Sequence, residues 1–168
     1  HFNPITMKIA LDIMGGDNAP NSNLHAVIDY INSTLESKSE IILVGDQDIA
    51  QEFFSKNNFT SDRIYFEHTT EIIEMDEKKP SRAFKNKPDS SMVKAINLVK
   101  EQKAEAIISA GNTGALLSAS LFILGKINNV DRPALASYIP TNRKGVLLCD
   151  CGANLNVKPK HLVQFSIM

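Results

Sequence analysis

Three short stretches hold the residues best suited to chemistry: "MGGDNAP" at 14–20, "SAGNTG" at 109–114 and "DCGAN" at 150–154. Each combines glycine with asparagine and a hydroxyl or carboxylate side chain. Glycine permits tight turns and lets a ligand approach the backbone. Gly15 and Gly16, Gly111 and Gly114, and Gly152 supply that room in turn. "SAGNTG" leads into a helix expected to start near Thr113, so unpaired amides and the helix dipole face the loop and favour an anion. Ser109, Asn112 and Thr113 add side-chain donors. Phosphate is the natural guest. Glycine-rich loops also serve as plain turns, and asparagine tolerates left-handed backbone. Three of them closing strands of one sheet favour a binding edge.

A basic run adds charge. Between Lys78 and Lys87 stand Lys78, Lys79, Arg82, Lys85 and Lys87 with no acid among them. Arg82, Lys85 and Lys87 suit a clamp on a phosphate or on an acidic carrier protein. A solvated basic face is the competing reading.

Other chemistries lack their residues. "MGGDNAP" does not have the G-x-G-x-x-G spacing of a dinucleotide site, and no G-K-[ST] follows a glycine loop. H-E-x-x-H and G-x-S-x-G are absent too. The histidines, His1, His25, His68 and His161, are scattered; His68, closing a strand, is the best placed for catalysis. Cys149 and Cys151 lie two apart on an expected strand, where a disulfide would distort the backbone. Two thiols are also too few for a metal site, so reduced cysteines are expected.

These loops need elements to position them, and the chain alternates strand and helix signals. "MKIALDI", "EIILVG", "RIYFEH" and "AEAIIS" read as strands, as do "PALASYI" and "GVLLCD". Between them, Leu24, Val27, Ile28, Ile31 and Leu35 share one helical face, Asp46 caps a second helix, and Asp89 or Ser90 caps a third carrying Met92, Val93, Ile96 and Val99 inward. "TGALLSASLFILG" reads as a buried helix and "KPKHLVQFSIM" as the start of another. This alternation predicts an α/β fold with a mostly parallel, doubly wound sheet. Ligands in such sheets bind at the carboxyl ends of the strands. If all the strands run parallel, the three loops meet on one rim.

The chain has 168 residues, 18 Lys+Arg and 19 Asp+Glu, a net charge of −1. That length suits one domain with a real core, and the charge balance argues against a general nucleic-acid binder. No apolar run reaches the ~20 residues of a membrane span. "HFNPIT", residues 1–6, reads as a tag remnant, with the natural start at Met7. The last helix has no stop signal, so residues 7–168 are expected to be the N-terminal part of a longer, single α/β catalytic domain.

Taken in order, "MKIALDIMGGDNAP", "ILVGD", "PSRAFKNKPDSSM", "ISAGNTGALLSAS", "RPALASYIPT" and "CDCGANLNVKPKHLVQFSIM" resemble the bacterial phosphate acyltransferases of phospholipid synthesis, the PlsX family. The resemblance runs from Met7 to Met168. It implies transfer of a long-chain acyl group from acyl-carrier protein to inorganic phosphate, giving acyl phosphate. It also implies a three-layer α/β sandwich similar to isocitrate and isopropylmalate dehydrogenases and to phosphotransacetylase. A cytoplasmic homodimer is expected, with possible peripheral membrane association and with neither metal nor organic cofactor. The family carries a further C-terminal half that contributes sheet, dimer surface and one wall of the cleft.

Chemistry plus family position then assign expected roles. Ser109, Asn112, Thr113 and the helix start hold phosphate, and Arg82 and Lys85 offset its charge. Asn18 and Asn154 reach the tetrahedral intermediate. Asp12, Asp17 or Asp150 orient donors or take a proton. Lys78, Lys79 and Lys87 form a basic rim for the acidic carrier. Because "DCGAN" keeps its polar positions, Cys151 is not expected to be a nucleophile. Three alternatives stand beside this reading: a phosphotransacetylase-like enzyme using acyl-coenzyme A, a non-catalytic phosphate-binding fragment, and a nicotinamide-dependent decarboxylating dehydrogenase. The last needs acidic metal ligands and an adenosine pocket that cannot be assembled from these residues.

Overall fold

The apolar runs of the first two-thirds of the chain pair into a parallel sheet. The structure, a computed structural model, describes residues 7–34, 39–142 and 144–168. β1 (Lys8–Asp12), β2 (Glu40–Gly45), β3 (Ile64–His68) and β4 (Ala106–Ser109) lie in the order β3-β2-β1-β4. All three pairings are parallel, with Ile9 opposite both Ile41 and Ala106, and Asp12 opposite both Val44 and Ser109. The chain therefore steps outward from β1 to β3, then returns to the other flank of β1. Strand order reverses between β1 and β4.

Side-chain alternation along the strands divides the core between two faces. Ile41 and Leu43 of β2 pack with α1 (Asn21–Ser33) through Leu24, Val27 and Ile31, and with α2 (Gln47–Lys56) through Ala50 and Phe54. On the other face Ala10, Ile42 and Val44 meet Ala95 and Leu98 of α4 (Ser91–Lys100). Met92, Val93 and Ile96 of α4 then pack on Ala115 and Ala119 of α5 (Thr113–Ile123) and on Ala83 of the short α3 (Pro80–Asn86). The expected inward residues of α1 and α4 are found there; Leu35 and the six residues of the expected tag remnant lie outside the described residues.

Local chemistry sets the boundaries. Asp46 caps α2 by accepting from the amides of Asp48 and Ile49 at 3.0 and 3.1 Å. Arg63 closes α1 by donating to the carbonyls of Ile31 (2.7 Å) and Thr34 (3.1 Å). Ser90 stands at the N-cap of α4 but makes no capping bond. Asp89 instead accepts from the Thr70 amide and hydroxyl at 2.9 and 2.7 Å. The Thr70 hydroxyl, the Thr70 amide and Lys94 hold the Asp89 carboxyl below its ordinary range.

Two expectations are corrected. β5 (Ala136–Ile139) and β6 (Val146–Cys149) do not join the parallel sheet; they pair antiparallel in a sheet of their own, with Ala136 opposite Cys149. The reason is length: residues 140–145 suffice for a hairpin, whereas a parallel crossover needs about a dozen residues or more. The condition under which all three loops would share one rim is therefore not met. Helix α5 is also less buried than its composition suggests. Ala115 and Ala119 are buried, but Phe122 is 64% exposed.

The chain divides into two compact units, one up to Leu124 and one over Gly125–Met168. The second holds the β5–β6 hairpin and α6 (Pro159–Ile167), whose buried residues are His161 and Phe165. His161 braces the start of α6, its Nδ1 accepting from the Lys158 amide at 3.0 Å. Among the described residues no helix is long and apolar enough to cross a membrane.

Candidate functional site

The reversal of strand order places the loops after β1 and β4 side by side. This is the switch point where open α/β sheets bind ligands. The two loops touch through glycine. A Cβ built on Gly15 would stand 2.9 Å from the Gly111 nitrogen and 3.0 Å from its Cα. One built on Gly16, whose φ is +117°, would lie 3.2 Å from the Ala110 Cβ. Glycine is required here for close approach, and at Gly16 for the left-handed backbone as well.

Asp12 joins the loops. It is 1% exposed at the end of β1. Its Oδ1 accepts from the amides of Met14 (3.1 Å) and Gly15 (3.0 Å). Its Oδ2 accepts from the Ser109 hydroxyl at 2.7 Å. Ser109 Oγ in turn accepts from the Gly111 amide at 3.1 Å. One carboxylate thus folds its own loop and fixes it to the neighbouring one. Asn23, in the first turn of α1, adds a brace by donating to the carbonyls of Ile13 and Gly15 at 3.0 and 2.9 Å. Asn23 is absent from the candidates named from sequence; the one available signal is an amide side chain a few residues past a glycine turn.

Asn112 caps α5, its Oδ1 accepting from the Ala115 amide at 2.9 Å while its Nδ2 donates to the Met75 carbonyl at 2.8 Å. That uses one of the first-turn amides and leaves those of Thr113 and Gly114, both exposed, without an intrahelical acceptor. Asp17 and Asn18 are exposed in the turn before α1, where the Asn18 carbonyl accepts from the Ser22 amide at 3.1 Å.

The basic run lies beside this loop. Pro80, which opens α3, sits 3.4 Å from where a Gly114 Cβ would be. Lys78, Lys79, Arg82 and Lys85 are exposed. The Lys85 ammonium stands 5.8 Å from the ring centres of Phe84 and Phe122, which stack on one another. Lys87 plays another part. Its ammonium donates to the Ile72 carbonyl at 2.6 Å and ties down the segment before α3. His68 accepts from the Gln47 amide through Nδ1 at 3.2 Å, which anchors it to the start of α2.

The third loop, in the second unit, repeats the carboxylate device. Asp150 Oδ1 accepts from the amides of Leu135 (2.9 Å) and Ala153 (3.3 Å), and Oδ2 from the Asn154 amide (2.8 Å) and its Nδ2 (3.1 Å). Burial pushes this carboxyl up, but the donors from Leu135, Asn154 and Ala153 outweigh burial and hold it below its ordinary range. Asn154 Nδ2 also donates to the Pro133 carbonyl at 2.8 Å. Gly152 is at φ +84°, and a Cβ built on it would meet nothing within 4 Å. Cys149 and Cys151 are free thiols. Among the described residues no cluster of His, Cys, Asp and Glu is placed to hold a metal ion.

Residues 7–168 match the family described as "Fatty acid synthesis protein". The chain belongs to this family. Proteins similar to it include the phosphate acyltransferase of Clostridioides difficile strain 630, 52% identical over 163 residues, which are 96% of this chain and 47% of that one. The phosphate acyltransferase of Halalkalibacterium halodurans is 47% identical over 163 residues, with the same coverage. The chain spans about half the length of the curated relatives it matches. Among solved structures it is similar to a phosphotransacetylase from Streptococcus pyogenes, with a TM-score of 0.69 at 17% identity, over 96% of this chain and 52% of that one. That likeness is one of fold.

Proposed function

We propose that residues 7–168 are the N-terminal part of a single α/β catalytic domain that moves a long-chain acyl group from acyl-carrier protein to inorganic phosphate. The observation that carries this reading is the contact between two amide-rich loops at the switch point, held by Asp12 and Ser109. The names of the relatives, phosphate acyltransferase, supply the reaction class. The overall fold assigned is the three-layer sandwich of the isocitrate and isopropylmalate dehydrogenases.

In this mechanism hydrogen phosphate is the nucleophile. Its oxygen bonds to the thioester carbonyl carbon, the carbon–sulfur bond breaks, and the proton of hydrogen phosphate ends on the departing thiolate. The products are acyl phosphate and free carrier thiol. The chain's part is to hold the partners together and to offset developing negative charge. The amides of Gly16, Thr113 and Gly114 form the cradle, and Gly15 and Gly111 shape the turns that present them. Arg82 and Lys85 offset the charge of phosphate, and Lys78 and Lys79 dock the acidic carrier. Asn18 is left to reach the carbonyl oxygen. Asp150, Gly152 and Asn154 shape their own loop, and Lys87 shapes the basic segment. A cytoplasmic homodimer, peripherally attached to membrane, completes the proposal.

The test is phosphate-dependent release of free thiol from an acylated carrier. Release from acyl-coenzyme A at equal efficiency would favour the phosphotransacetylase-like alternative. Phosphate binding without release from either donor would leave only a binding fragment.

A further inference from the structure

Serine has one hydroxyl hydrogen and two lone pairs. At Ser109 the hydrogen goes to Asp12 Oδ2 at 2.7 Å, and one lone pair receives the Gly111 N–H at 3.1 Å. Asp12 cannot release that hydrogen to a ligand without leaving its own buried oxygen unpaired, since Oδ1 is already committed to two amides. Ser109 is only half-buried. What it presents to an anion is therefore its remaining lone pair. In the inference that follows, Ser109 therefore has a different part from the expected one of donor to phosphate.

We infer that the Asp12–Ser109 pair makes the cradle select anions that carry a proton, accepting hydrogen phosphate and rejecting sulfate. This rests on the reading of the two loops as a phosphate cradle. Hydrogen phosphate and sulfate are both tetrahedral dianions of nearly equal size. Only the first has an O–H to give to Ser109; a sulfate oxygen there meets a lone pair with no hydrogen between them. The negative charge of Asp12 opposes both anions alike, so the proton is what distinguishes them. Asp12 acts through Ser109 and is a positioning residue. Ser109 is the specificity determinant. The phosphoryl group of an acyl phosphate has also lost that O–H, so the same pair disfavours the product and aids its release.

The experiment is calorimetric titration of the full chain with inorganic phosphate and with sulfate, at mildly alkaline pH and fixed ionic strength set by chloride. Phosphate is expected to bind at least about tenfold more tightly than sulfate, the factor that one unmatched polar contact commonly commands. In Asp12→Asn the introduced amide nitrogen donates to Ser109 and frees the hydroxyl hydrogen to face the ligand, so sulfate binding should rise and the ratio approach one. Ser109→Ala removes the lone pair, and should lose phosphate affinity without losing sulfate affinity. Circular dichroism shows which variants are folded, and the parent comparison stands if neither is. Equal affinity of the parent for both anions overturns the selectivity and leaves the cradle standing. A ratio unmoved by both folded variants does the same. Binding of neither anion overturns the cradle and the selectivity together.

Discussion

Gly15→Ala tests the contact on which the site depends. The added Cβ would stand 2.5 Å from Asp12 Oδ2, 2.9 Å from the Gly111 nitrogen and 3.0 Å from the Gly111 Cα. Gly15 does not use left-handed backbone, so alanine is not penalised by its own dihedrals and the cost lies in contacts. The strain has two outlets. Rotating the Asp12 carboxylate away breaks its bond to Ser109 and disturbs the two amides on Oδ1. Parting the loops stretches the same Asp12–Ser109 bond. Overpacking a tight site costs about 1–3 kcal/mol, and a hydrogen bond to a charged group contributes about 1.5–3 kcal/mol. Because one motion relieves both, the two do not add in full, and the expected loss is about 3 kcal/mol. The chain has no tryptophan, so urea unfolding is followed by far-UV circular dichroism. Gly114→Ala is the control: its Cβ would meet nothing closer than 3.4 Å and it lies in the first turn of α5. It should change stability by under about 1 kcal/mol, in the stabilising direction. A Gly15→Ala chain within about 0.5 kcal/mol of its parent would refute the claim that the loops are pressed together.

Four further outcomes are expected. Asn112→Ala removes the cap of α5 and the tie to Met75, and should cost about 1–2 kcal/mol in urea melts, with faster amide exchange in residues 72–79. Lys87→Met should cost about 1–2 kcal/mol through loss of the bond to the Ile72 carbonyl, while phosphate affinity stays at the parental value. Lys78→Glu together with Lys79→Glu should leave urea stability within about 0.5 kcal/mol and raise KM for an acidic carrier at low salt; an unchanged KM discards the docking role. Burial, then Arg132 and Lys160, push His161 below its ordinary 6.5, so the neutral ring is the form that folding favours. Its contribution is complete above 6.5 and is lost as pH falls toward the lower folded value, because a protonated Nδ1 cannot accept from Lys158. Proton NMR of His161 should show a midpoint below 6.5 and fraying of α6 under it; a midpoint above 6.5 contradicts this.

What could be read from sequence divides along a physical line. β1, β2 and β4 were legible as apolar runs of strand length and β3 as the aromatic-rich run Ile64–Phe66, with periodic helices between the strands, and Asp46 signals its cap by type and position. The antiparallel turn of β5 and β6 was legible too, in the six residues between them, but β-α alternation elsewhere masked it. The high apolar content of "TGALLSASLFILG" says what a helix is made of and not what lies against it, so burial was overstated at Phe122. The loops were found by glycine and asparagine, which mark where backbone must turn. Asp12 was harder to place, because a carboxylate after an apolar strand looks the same whether it binds a proton, a metal or its own loop. Its partners stand 2, 3 and 97 positions away. The last of these exists only because strand order reverses between β1 and β4, and no local pattern in either strand announces that reversal. The direction of the Ser109 hydroxyl follows from that non-local bond, and with it the difference between a site that gives a hydrogen to its anion and one that takes a hydrogen from it.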